Sequence, residues 1–395
     1  MRVLIDATAL PPNRGGVGRY VDELVSRLPA LGPSVHVACQ ARDEALYGGL
    51  VGADRVHALA GWSSSPAVRM GWEQTGLPWL ARRLRPDVLH SPHYTLPLVL
   101  PFTSPGSACA RVVTLHDATF FSHPELHLGV KGVVFRRWTA VSARLADGLV
   151  VPSLATEREV IAYTGAQAAS FDVVPHGVDH DRFGRPRAGE VEAAREWLGL
   201  DSSAKFVAFL GTLEPRKNVP ALVHAYALVC ADMPDPPALV LAGGAGWDDT
   251  IDDAIAGVPA PLRVLRPGFV PNGLLRGLLG GAEVVAYPAF GEGFGLPVLE
   301  AMACGAAVLT TPLLSLPEVG GDAVAYAKTP QVADVAEALA ALLADPVRRS
   351  DLGARAIRRA AEFTWDRSAR QHLAAYERAA NRHAAPRTSG PDAPR

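Results

Sequence analysis

The stretch "EVVAYPAFGEGFGLPVLEA", residues 283–301, contains a complete strand–turn–helix unit. Its first residues are β-branched and apolar, so they favour a buried strand. Gly291, Gly293 and Gly295 allow a tight turn, and Pro297 suits the first turn of a helix, where an N–H has no partner anyway. The strand run is apolar throughout rather than alternating. That is the pattern of a parallel strand covered by helices on both faces. The same unit recurs along the chain. Strands are predicted at 2–6, 35–39, 87–91, 111–116, 148–153 and 171–175, and again at 205–212, 238–244, 263–268, 283–288 and 306–311. Helical patterns lie between them, such as 17–31 and 130–146, and three more, 330–344, 346–362 and 366–383, close the chain.

Two successive βα series predict an α/β protein built from two doubly wound domains. The length of 395 residues agrees, being too great for one ordinary core. The polar, turn-rich segment "HGVDHDRFGRPRAGE", 176–190, is the natural border. The last residues, 385–395, have the composition of a disordered end.

Bulk composition removes several function classes. A net charge of −2, with no basic block and no zinc-finger spacing, argues against a nucleic-acid partner. The four cysteines, Cys39, Cys109, Cys230 and Cys304, are far apart and contain no C-x-x-C pair. They fit reduced thiols rather than a disulfide framework or a zinc site. Residues 1–9 are too short an apolar run for a signal peptide, and no run has the length of a membrane span. The expected location is cytoplasmic. A peripheral contact with the inner membrane surface stays open, through the basic helical segment 131–148 or through Trp62, Trp72 and Trp79.

Four segments just after strands carry candidate chemistry, because ligands of open α/β sheets bind outside the carboxyl ends of the strands. In the opening stretch, the helix start favours an anionic group such as a diphosphate. Glu292 hangs from the glycine loop and Glu300 sits a turn into the helix, so the two carboxylates suit hydroxyls at two ends of one ligand. In "GTLEPRKN", 211–218, Arg216 and Lys217 beside a helix start suit a diphosphate and its departure. In "PPNRGGVGRY", 11–20, Gly15 and Gly16 resemble a phosphate loop without matching a dinucleotide fingerprint. In the fourth, "VVTLHDATFFSHPELH", 112–127, His116 and Asp117 end a strand and should face the cleft, and His90, His93 and Tyr94 in "HSPHYTLP" are placed similarly. Taken singly, each piece also fits an ordinary solvated turn or a satisfied core histidine.

In this order the pieces resemble the retaining, nucleotide-sugar-dependent glycosyltransferases of family 4. "GEGFGLPVLEAMACG" is similar to their E-x7-E segment, with Glu292 and Glu300 as its acids, and "LGTLEPRKN", "TLHD", "VVPHGVD", "GGVGRY" and "GFV" stand where that family has its corresponding segments. The resemblance covers roughly 1–375. It implies the GT-B fold: Rossmann-like domains at 1–178 for the acceptor and 179–365 for the nucleotide sugar, facing a central cleft, with the helix 366–383 packing back on the first. It further implies that Glu300 binds the ribose and that Arg216 and Lys217 bind the diphosphate. Glu292, with Gly293, Phe294, Gly295 and Leu296, would hold the donor sugar. His116 would lie near the reacting centre, Gly15 and Gly16 beside the phosphates, and Phe269 and Val270 against the base. His90, His93, Tyr94 and Asp117 would serve the acceptor. No metal and no cofactor beyond the nucleotide sugar are implied.

Within the family, "IDATAL", "HSPHYTLP" and "EPRKN" look most like bacterial GDP-mannose-dependent mannosyltransferases, which implies a carbohydrate acceptor. A UDP- or ADP-sugar donor, a lipid-linked or small-molecule acceptor, and a nucleotide-sugar epimerase of the same fold are the alternatives. Pro271-Asn272-Gly273 stands where many relatives carry acidic residues, and His176 where Asn is usual.

Overall fold

A computed structural model describes residues 1–12, 14–59, 65–98, 109–127 and 129–384. Trp62 and the tail 385–395 lie outside the described residues. Two wholly parallel sheets carry the chain. The first contains β1 (Arg2–Asp6), β2 (Ser34–Gln40), β3 (Val56–Leu59), β4 (Val88–Ser91), β5 (Ala110–Thr114), β6 (Gly148–Val151) and β7 (Phe171–Val173) in the order β3-β2-β1-β4-β5-β6-β7. The second contains β8 (Phe206–Leu210), β9 (Ala238–Ala242), β10 (Val264–Gly268), β11 (Val284–Tyr287), β12 (Val308–Thr310) and β13 (Ala325–Tyr326) in the order β10-β9-β8-β11-β12-β13.

Strand order reverses between β1 and β4 in the first sheet and between β8 and β11 in the second. These are the switch points where doubly wound sheets open a crevice. The segments after β8 and β11 are the basic turn at 215–217 and the acidic glycine loop at 291–295. Topology therefore brings residues about 75 apart in sequence to one crevice.

Two strands went unread in the sequence. β3 is an edge strand of four residues interrupted by His57, and β13 has only two residues. Neither has the apolar run that marks the interior strands.

The helix Leu296–Ala303 shows how local chemistry fixes the site. Gly295 precedes it at φ +103°, a conformation strained for any side chain, and Pro297 occupies the first turn. Val298, Leu299 and Met302 are fully enclosed, each contributing ~1.5–3 kcal/mol of burial. Gly305, at φ +78°, ends the helix, its N–H donating to the Met302 carbonyl at 3.0 Å.

The chain crosses between the sheets twice, and the crossings lie side by side. Val178 N–H donates to the Phe363 carbonyl at 3.1 Å, and Gly177 is packed so closely on the backbone of Trp365 that a Cβ there would have no room. After the second crossing, the helix Trp365–Ala384 runs over the first sheet. Trp365, Ala369, Ala375, Tyr376 and Ala379 join the core formed by β1, β2 and β4.

Candidate functional site

The wall supplied by the second sheet centres on Glu292. Arg216 Nη1 lies 2.6 Å from Glu292 Oε2 and donates to the Gly291 carbonyl at 2.7 Å. Lys217 Nζ bonds Glu292 Oε1 and the Tyr287 hydroxyl, and that hydroxyl donates to Glu292 Oε1 at 2.6 Å. The Pro215–Lys217 turn is held by Asn218, at φ +56°, whose amide donates to the carbonyls of Pro288 (3.1 Å) and Pro330 (2.8 Å). All three charged side chains are buried. Burial works to raise the Glu292 carboxyl, but Arg216 and Lys217 outweigh it and hold the group at about 2. Burial and the neighbouring Arg216 lower the Lys217 ammonium, while Arg216 itself is driven above its ordinary value by Glu292 despite its burial. Sequence spacing implied separate partners for the acid and the two bases. The structure pairs them with one another.

Glu300 lies one turn into the helix Leu296–Ala303 and is 2% exposed. Its carboxylate bonds Arg19 Nη1, from the helix Gly16–Arg27 of the first domain. Burial raises the Glu300 carboxyl, with Arg19 and Arg182 opposing that rise. Arg182 lines the same small cavity, donates to Asn272 Oδ1 at 2.5 Å and stacks on Phe183. Neither arginine was singled out in the sequence, because each belongs to a segment read for its glycines or its turn residues. The two helix starts meet here, since a Cβ on Gly16 would stand 3.5 Å from Leu296 Cδ1.

The opposing wall comes from the loops after β4, β5 and β6. Gly293 packs on the His116 carbonyl and the Asp117 Cβ, and its own carbonyl accepts from Ser153 Oγ (2.7 Å) and Thr156 Oγ1 (3.1 Å). Glu318 of the second domain caps the helix Leu154–Thr164 of the first, accepting from the N–H groups of Leu154 (2.9 Å) and Ala155 (2.7 Å). The two domains are closed on each other in this structure. His116 Nε2 lies 2.7 Å from the Pro92 carbonyl, so it must be the protonated nitrogen, which leaves Nδ1 as an acceptor. Burial lowers the His116 imidazole and keeps it neutral. Asp117 lies within electrostatic reach of Arg216 across the closure, and its Oδ1 accepts from Thr119 Oγ1 at 3.4 Å. His93 is half-buried among the rings of Tyr94, His116 and Phe135.

Three expected positions are corrected. His90 is fully buried beneath the helix Trp365–Ala384, with Nε2 on Thr114 Oγ1 and Nδ1 on the Tyr376 hydroxyl, both at 2.8 Å. It is a satisfied core histidine, linked through Thr114 to Tyr20 and on to His372, and it does not serve the cleft. Tyr94, at φ +57°, turns its ring into the core, and its hydroxyl is occupied by the Asp117 backbone. Val270 is 3% exposed in the second core, whereas its neighbour Phe269 is 72% exposed. Of the two, only Phe269 presents its side chain to solvent. Among the described residues, no group of three His, Cys, Asp or Glu side chains could hold a metal ion, and no helix is long and apolar enough to cross a membrane.

Residues 190–359 match the family model described as glycosyl transferases group 1, and residues 14–182 match that of Glycosyltransferase Family 4. Between them these two glycosyltransferase models span most of the chain. The chain is 28% identical to the O-antigen chain mannosyltransferase B of Escherichia coli over 385 residues, covering 92% of this chain and 96% of that one. It is 34% identical to the D-inositol 3-phosphate glycosyltransferase of Mycobacterium tuberculosis (strain F11) over 251 residues, covering 61% of this chain but only about half (51%) of that protein. Among solved structures, Anabaena Alr3699/HepE in complex with UDP and glucose superimposes with a TM-score of 0.74 at 18% identity, over 95% of this chain and 98% of that one. WaaG, a glycosyltransferase involved in lipopolysaccharide biosynthesis, gives 0.69 at 17%, over 94% and 98%. At these identities the structural likeness is one of fold, and the fold is GT-B.

Proposed function

We propose that this glycosyltransferase moves mannose from GDP-mannose to a hydroxyl of a glycan acceptor, with retention at the anomeric carbon. The observation that carries the proposal is the convergence of Arg216, Lys217 and Glu292 on one side of the closure and His116 on the other, with Glu300 a turn below. Cations beside the start of the helix Leu296–Ala303 suit a diphosphate in the bound donor and stabilise it as it leaves. Glu300 suits the ribose hydroxyls. Glu292, with the Gly293–Leu296 backbone, suits the hexose. The choice of mannose and of a polysaccharide acceptor rests on the sequence features of the subgroup and on the relative named as an O-antigen mannosyltransferase.

Retention, which the family resemblance implies, then has to proceed without a covalent intermediate on Glu292. A carboxylate held at about 2 and bonded by two cations and a phenol is a poor nucleophile and a poor base. The acceptor therefore attacks from the face the diphosphate leaves, a donor phosphate oxygen takes the acceptor proton, and His116 Nδ1 accepts a hydrogen bond from a sugar hydroxyl. The protein contributes orientation and leaving-group stabilisation, with the nucleotide sugar as the sole co-substrate and no metal. The site would work at a membrane surface or in the cytoplasm alike.

Calorimetric titration with GDP, UDP and ADP, repeated with Glu300→Ala, tests the donor site. GDP binding that is lost in the variant supports it, and preference for UDP or ADP would replace the mannose donor while leaving the site intact. Failure of all three to bind would refute it.

A further inference from the structure

A cavity of about 200 Å³ lies beside the two crossings between the sheets, and none of Arg216, Lys217, Glu292, Glu300 or His116 lines it. One water needs about 10–15 Å³, so the space is far larger than a single water requires. Three polar side chains line it without a partner among the described residues. His176, 6% exposed, has its Nδ1 buried and unbonded, and Ser368 Oγ is likewise buried and unbonded. Gln371 stands on the same helix face, three residues after Ser368, and its amide makes no hydrogen bond. Buried polar groups left unpaired are rare and costly, so several around one space point to a ligand that pairs them. Burial pushes the His176 imidazole well below its ordinary value, so the neutral ring offers one donor and one acceptor.

The charges around the cavity cancel. Arg359 bonds Glu362 Oε2 at 2.6 Å, Arg367 Nη1 donates to the Glu362 carbonyl at 3.3 Å, and Glu318 is taken up by the N–H groups of Leu154 and Ala155. Two arginines and two glutamates leave no net charge to select an ion. The remaining surface is flat and apolar. The Phe294 ring packs on His176, 5.1 Å between centroids, and on Phe363, 5.9 Å. We propose that this cavity is a second sugar site, which takes one neutral pyranose ring with its C–H face on Phe294 and Phe363 and its hydroxyls on His176, Ser368 and Gln371. Apolar walls with a few placed donors and acceptors are the make-up of a small-molecule site, and a pyranose presents both halves of that surface. A phosphate presents neither the apolar face nor neutrality. A residue within a glycan chain and a free monosaccharide share this chemistry, and the experiment separates them. The proposal does not depend on which nucleotide sugar the protein uses.

The experiment is saturation-transfer NMR titration of the full chain with methyl α-mannoside, an α-linked mannotriose and inorganic phosphate. It is run on the wild type, Gln371→Leu and Gln371→Trp, with melting temperature and GDP affinity measured beside it. Methyl α-mannoside should bind the wild type, bind Gln371→Leu about three- to tenfold more weakly through the lost amide, and fail to bind Gln371→Trp, whose indole takes up the space. Melting temperature and GDP affinity should stay as in the wild type, because Gln371 touches no donor residue. Tighter binding of the mannotriose would mark a glycan residue as the occupant, and equal affinity a free sugar; either supports the site. Methyl α-mannoside that does not bind the wild type, or binds all three proteins equally, would overturn the proposal and leave waters as the partners of His176 and Ser368. Displacement of the sugar by phosphate would overturn it as well, by marking an anion site. Should Gln371→Trp fail to fold, Gln371→Leu, which keeps the size of the side chain, decides alone.

Discussion

Gly293→Ala isolates domain closure from ligand binding. Gly293 does not have a positive φ, so alanine brings no backbone strain there. The added Cβ would stand 2.7 Å from both the His116 carbonyl carbon and the Asp117 Cβ, and nearer still to the His116 carbonyl oxygen. Carbon atoms pack at about 3.5–4.0 Å, so one wall must retreat by about 1 Å. Backbone cannot swing away as a long side chain can, and the Gly293 carbonyl is tied to Ser153 and Thr156 on the same opposing wall. The retreat therefore separates the domains at the catalytic level. A misplacement of about 1 Å costs on the order of 10²-fold in rate, or ~2.7 kcal/mol of barrier. The assay is initial-rate release of GDP from GDP-mannose, with GDP affinity measured in parallel. Turnover should fall by about 10²-fold while affinity changes less than about threefold, because the methyl points at His116 and not at the nucleotide side. Gly71→Ala, with nothing within 4 Å of its added Cβ, is the control. Wild-type turnover in Gly293→Ala would refute the reasoning, since the working geometry could not then include the Gly293–His116 contact.

Three further outcomes are expected. Glu73, 1% exposed, is pushed up to about 7 from an ordinary 4.5 by burial and then by Asp6. Its pKa is thus higher in the folded protein than in the unfolded chain, so its own contribution to stability is fully present below pH 4.5 and is lost as pH rises through 7, by at most ~3 kcal/mol. Glu73→Gln should remove that decline in urea unfolding at pH 5 and pH 8, and parallel losses in both proteins would contradict it. Phe269→Ala should weaken GDP binding by ~1 kcal/mol, about fivefold, through lost stacking, with little effect on melting. Val270→Ala should do the reverse, lowering stability by ~2 kcal/mol and sparing affinity. Equal affinity loss in both would place the base elsewhere.

The sequence yielded what short-range pattern encodes. Continuous apolar runs located eleven of the strands, and glycines with Pro297 located the turn and helix that carry Glu292 and Glu300. The missed strands β3 and β13 lie at sheet edges, where few residues are buried on both faces and the apolar run vanishes. Contacts between distant segments left no local trace. Arg19 meets Glu300 across 281 residues and Tyr376 meets His90 across 286, and no spacing rule could foretell either. His90 illustrates the failure well. It ends a strand as His116 nearly does, but the helix Trp365–Ala384 returns to cover it. Val270 is a separate case, since it follows an exposed Phe269 yet turns into the core of the second domain.

The cluster around Glu292 shows how two adjacent buried cations are kept charged. Arg216 and Lys217 are adjacent in sequence and both buried, and each raises the cost of charging the other. Without a counter-charge, Lys217 would release its proton more readily, since burial and Arg216 both act in that direction. A deprotonated lysine gives a departing diphosphate nothing. Glu292 prevents this by bonding both cations, and Tyr287 supplies a third bond to the same carboxylate, whose position is thereby fixed as firmly as its charge. With Glu214 also 3.6 Å from Arg216, two acids stand against the two buried cations and remove the instability of leaving them unpaired. On the proposed function Glu292 would combine two linked tasks, keeping Lys217 charged and holding the sugar, and its fixed placement makes them compatible. The spacing of eight residues to Glu300 then follows from geometry. The loop must reach the cations after β8 and return to start the helix before the second acid can face Arg19.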